Sequence, residues 1–105
     1  MNLFELPEEM LAEELFEAII PDRGVLIERI VSAGQVSPLG VWYDQDRDEW
    51  VVLLQGNAKL AWESGRILDM GPGDWVFIAA HDRHRVEYTS QQPSCIWLAV
   101  HGKLR

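Results

Sequence analysis

At 105 residues the chain is long enough for one domain with one modest core. Nearly half of its residues are apolar and five are Trp, which excludes a disordered chain. A net charge of −8, with nine scattered Lys and Arg, argues against a nucleic-acid surface and against binding to anionic membranes.

No apolar run approaches the roughly 20 residues needed to span a bilayer. The acidic start, M-N-L-F-E-L-P-E-E, has no signal-peptide n-region. A single cysteine, Cys95, excludes an internal disulfide and fits a cytoplasmic protein. With no His near it in sequence, Cys95 is a poor candidate nucleophile.

Pro7-Glu8-Glu9 before Met10 and Leu11 predicts a short N-terminal helical turn, with Pro and acids at its start. Pro21-Asp22-Arg23-Gly24 is a turn signal between Leu15–Ile20 and the β-branched run Val25–Val31, so residues 1–24 read as an arm and hairpin. Turn signals then recur at Ser37-Pro38, in the acidic loop 44–48, at Gly56-Asn57, at Glu63-Ser64-Gly65, at Gly71-Pro72-Gly73-Asp74 and at Ala80-His81-Asp82. Short strands at this spacing predict one all-β antiparallel domain over residues 1–105, with the barrel proper at 25–101. The stretches 50–54, 75–79 and 95–100 are apolar on both faces. One face can line a barrel, and the other needs a cover, which predicts a homodimer; coverage by residues 1–31 is the alternative.

Two motif spacings carry chemistry. Glu49 precedes Gly56 by six intervening residues, and W-Y-D-Q-D-R-D-E runs up to Glu49. Further on, P-G-D at 72–74 is followed by A-A-H-D-R-H ending at His84. These residues resemble the cupin superfamily, in its small bacterial single-domain form, over roughly residues 25–101. The resemblance implies a double-stranded β-helix, or jelly-roll, barrel. The family's first motif is His-x-His, then Glu, then Gly; here Trp42 stands for the first His and Asp44 for the second. In the second motif Ala79 stands for a Pro and His81 for a Gly, while His84 is kept.

The resemblance further implies a divalent metal, Mn, Fe, Ni or Zn, held by Glu49 and His84 and completed by Asp44 or His81. A metal-dependent cupin of this kind carries out oxygenation, isomerisation or decarboxylation on a small molecule. The alternative is a metal-free binding or sensor module, with Trp42 and Tyr88 forming an aromatic pocket for an apolar ligand. A barrel plugged by Trp42 is a third, structural outcome. Tyr43 is expected to face away from Trp42, and His101, in step with Trp97 and Ala99, to sit at the rim.

Overall fold

The computed structural model describes residues 1–7 and 12–105. The predicted helical turn at 7–11 falls almost wholly outside them, and the described residues contain no helix. None is therefore long and apolar enough to cross a membrane.

Eight strands follow in order: β1 (Leu15–Ala18), β2 (Leu26–Ser32), β3 (Asp48–Gln55), β4 (Ala58–Trp62), β5 (Ile67–Met70), β6 (Trp75–Ile78), β7 (His84–Thr89) and β8 (Cys95–Gly102). They form a five-stranded sheet in the order β1-β2-β8-β3-β6 and a three-stranded sheet in the order β5-β4-β7. All pairings are antiparallel. The two sheets enclose one core of Val51, Leu53, Leu60, Trp62, Met70, Val76, Ile78, Trp97 and Ala99.

Register places the inner face. Glu49, Val51 and Leu53 of β3 lie directly opposite His101, Ala99 and Trp97 of β8. On the other side of β8, Glu28 and Ile30 of β2 pair with Ala99 and Trp97. Because side chains alternate across a strand, these residues share one face. The face begins at the polar end with Glu49, His101 and Glu28 and becomes apolar within a few residues.

Two β-bulges change the parity. Glu87 is the extra residue where Lys59 pairs with Tyr88 but Leu60 pairs with Val86. A second bulge lies between Leu53 and Gln55 on β3. Gly56, just after it, takes φ +92°, and a Cβ there would stand 2.8 Å from Cys95 Sγ, so the turn between the sheets needs Gly.

Among the described residues the N-terminal segment extends the sheet as β1 and lies against the outer face at Arg29, leaving the Trp75 end of that face open. Trp75 on that face is 60% exposed, with its ring 6.1 Å from that of Trp50. Arg29 ties the segment down through Glu17 and the carbonyls of Leu3 and Glu5.

Candidate functional site

A cavity of about 110 Å³ opens between the sheets at the polar end of the barrel. Val51, Leu60, Ile78, Val86 and Trp97 form its apolar wall, and Glu28, Tyr43, Gln45, Glu49, His84 and His101 its polar mouth.

Glu49 is the second residue of β3 and is only 7% exposed. It accepts no hydrogen bond from the described residues. His84 Nε2 stands 3.8 Å from its Oε1. Burial holds its carboxyl above the usual carboxylate range, against the attraction of His101 and His84. His84 opens β7, where its Nδ1–H donates to the Asp82 carbonyl at 2.8 Å. That bond fixes the ring and aims Nε2 at the cavity. The Tyr43 ring lies 5.7 Å from the imidazole and the Trp62 ring 6.4 Å. His101 Nε2 donates to Glu28 Oε1 at 2.9 Å, and this bond to Glu28 raises its pKa despite burial.

Of the residues marked in sequence, the structure brings Glu49 and His84 together in the cavity. It also joins Asp44 and His81, but at the exposed rim, where His81 Nδ1 donates to Asp44 Oδ1 at 2.8 Å. The reason is a one-residue shift of parity. The segment before the acidic loop holds β7 by a single bridge, with Tyr43 N–H donating to the His84 carbonyl at 2.7 Å. That bridge turns Tyr43 and Gln45 inward and Trp42 and Asp44 outward.

Trp42 therefore neither lines nor plugs the cavity; its ring lies 6.0 Å from the Arg85 guanidinium. Tyr88 is half exposed on the outside, because the bulge at Glu87 inverts the alternation that begins at His84. His81, standing where the family pattern has Gly, keeps the backbone conformation Gly would take, φ +65°. The Gln45 carbonyl and Asp44 hold it there, accepting from its backbone N–H and its ring.

Three site residues lay outside the expected set. His101, expected at the rim, lines the cavity in step with Trp97, its neighbour on the same face of β8. Glu28 was legible as a carboxylate between Leu26 and Ile30 on one face of a strand. Tyr43 follows once Trp42 faces out. Asp48 is a clamp: its carboxylate accepts from the Ala80 and Leu104 backbone N–H groups and pairs with Arg105. These bonds, that from Ala80 foremost, hold its pKa below the usual value.

The donor set does not fit the metal centre that the resemblance implies. Among the described residues no three His, Cys, Asp or Glu side chains are grouped to hold one ion. Glu49 and His84 face one point, while the inward nitrogen of His101 is engaged by Glu28.

The comparisons bear on this geometry. The cupin domain family matches residues 29–101. The chain belongs to the cupin family. A solved structure from Ralstonia eutropha JMP134, provisionally described as a mannose-6-phosphate isomerase, is 41% identical with a TM-score of 0.92, covering 98% of this chain and 96% of that one. A cupin superfamily protein from Desulfitobacterium hafniense DCB-2 aligns at TM-score 0.76 and 18% identity, over 92% of this chain and 84% of its own. The polyketide cyclase RemF from Streptomyces resistomycificus aligns at 0.70 and 20%, over 86% and 65%. At these identities the last two show the shared fold alone. No curated protein matches the cupin by sequence.

Proposed function

We propose that this cupin binds a small organic molecule inside its barrel, in the cavity between Glu49, His84, His101 and Tyr43, without a resident metal. One observation carries the reading. Glu49 is a buried carboxylate with unused acceptor capacity, aimed into an apolar cavity. A ligand donor would replace water at this carboxylate with a charge-assisted hydrogen bond, worth roughly 1.5–3 kcal/mol. Where the ligand has a proton to lose, Glu49 is placed to take it and His84 Nε2 to hold it, since burial moves a carboxyl toward the pH at which it exchanges protons. The Ralstonia protein's description as an isomerase is compatible with proton transfer of this kind.

The reading is tested by NMR with a small-fragment library. Fragments that bind are expected to shift the backbone resonances of Glu49, Val51, Leu60 and Val86 and to leave those of Tyr88 in place. Shifts at Tyr88 and Trp42 alone would overturn it. Added Mn, Fe, Ni or Zn is expected to change the melting temperature of wild type and Glu49→Gln equally; a gain confined to wild type would restore the metal.

The same proposal includes a homodimer in the cytoplasm, where Cys95, buried and unpaired, stays reduced. The exposed Trp75 and its neighbour Trp50 support a second copy on the outer face of the five-stranded sheet. Light scattering is expected to give twice the 12.0 kDa chain mass. A monomer at high micromolar concentration would remove this part.

A further inference from the structure

Resting on the barrel-cavity reading, we propose that the ligand is a small ammonium compound, a protonated amine on a compact apolar body, whose N–H groups donate to Glu49. The charge of the lining decides the class. Glu14, Glu28 and Glu49 border the cavity, and among the described residues no Lys or Arg does. The nearby arginines are engaged elsewhere: Arg47 with Asp22 at 2.9 Å, Arg29 with Glu17, and Arg85 with the Ser37 carbonyl at 3.1 Å and Glu87 at 3.2 Å. Among the described residues cationic charge inside is available on imidazole alone, and His101 is already paired with Glu28.

An anionic head would thus meet three carboxylates in a low-dielectric cavity with only the His84 imidazole to compensate it. A phosphosugar fits this lining poorly, so the similarity to the Ralstonia structure does not extend to a phosphate ligand. An ammonium group instead fills the empty acceptor capacity of Glu49 and offsets the burial of that carboxylate. The Tyr43 and Trp97 rings on the wall suit a cation as well as an apolar body. The cavity is smaller than one of about 150 Å³ that holds benzene, which limits the body to a small ring or short branched chain.

The test is a matched series of isopropylamine, isopropanol and isobutyrate, titrated into the full-length protein with EDTA present and followed by NMR. The amine is expected to bind at least roughly tenfold more tightly than the carboxylate, the scale of one charge-assisted hydrogen bond. Glu49→Gln is expected to bring amine and alcohol to equal affinity. If that variant does not fold, the wild-type ranking alone decides.

Cavity shifts in which the alcohol or the carboxylate binds as tightly as the amine would overturn the ammonium class while leaving the cavity reading standing. So would a carboxylate preference that appears only without EDTA, which would also install a metal. No cavity shift with any of the three at millimolar concentration would overturn both.

Discussion

Two carboxylate–imidazole pairs lie within one loop of each other and behave differently. Asp44 and His81 meet at 2.8 Å in solvent, with side chains 49% and 67% exposed. Glu49 and His84 stand 3.8 Å apart behind the wall, 9% and 6% exposed. The closer pair has the better hydrogen bond and the smaller consequence. Water screens it, and it spends side-chain entropy to hold its geometry. The looser pair lies where the dielectric is low and where each unmet polar atom is costly. Burial, more than distance, marks the functional pair.

The largest effect expected from this contrast is the loss of His84. His84→Ala removes the partner of a buried carboxylate, the ring contacts with Tyr43 and Trp62, and the bond to the Asp82 carbonyl. It is expected to cost about 3 kcal/mol in urea unfolding at neutral pH, the low end for breaking a buried pair. A cost under about 1 kcal/mol would place the inner pair on a par with the rim pair and break the comparison.

Glu49→Gln is expected to act in the opposite direction. A group buried for function is seldom optimal for stability, so its neutral isostere is expected to raise stability by roughly 0.5–2 kcal/mol while weakening ligand binding. Destabilisation would show that Glu49 is held by bonds other than those described.

The pH dependence sharpens the same point. Glu49 and His101 both have folded pKa values above their ordinary 4.5 and 6.5, Glu49 through burial and His101 through its bond to Glu28. A raised folded pKa means that the native state binds the proton more tightly. The stability this gives is complete below the ordinary value and is lost as pH rises through the folded one. Asp22 and Asp48, with pKa values lowered chiefly by Arg47 and by the Ala80 N–H respectively, contribute above 3.8 and lose that contribution on acidification. Stability is therefore expected to peak on the acid side of neutrality and decline above 6.5. Glu28→Gln is expected to flatten that decline in urea midpoints measured across pH, and an unchanged slope would remove His101 as its source.

What the sequence could show follows the same division. The barrel was legible because turn chemistry and strand alternation are local, and the spacing around Glu49 and His84 placed both at strand starts. Asp44, Trp42 and Tyr88 were misplaced because parity counting assumes an unbroken strand. A bulge at Glu87 and a one-bridge segment at Tyr43 reverse it, and the bulge leaves no Gly or Pro mark in the sequence. His101 and Glu28 are joined by a ladder between distant strands, β2 and β8, which no local pattern reports.

The smallest effect is expected at the rim. Asp44→Asn removes an exposed ion pair, for which up to about 1 kcal/mol is usual. His81→Gly loses the same pair but releases a side chain from φ +65°, a conformation that costs an ordinary L-residue about 1–2 kcal/mol. The two terms oppose each other, and Gly adds entropy to the unfolded chain. His81→Gly is thus expected to lie within about 1 kcal/mol of wild type, and His81→Ala, which loses the pair and keeps the strain, below both. Amine affinity in the cavity is expected to be the same in all three proteins. A change in affinity with His81→Gly of the size seen with Glu49→Gln would join rim and cavity into one site and end the distinction between the two pairs.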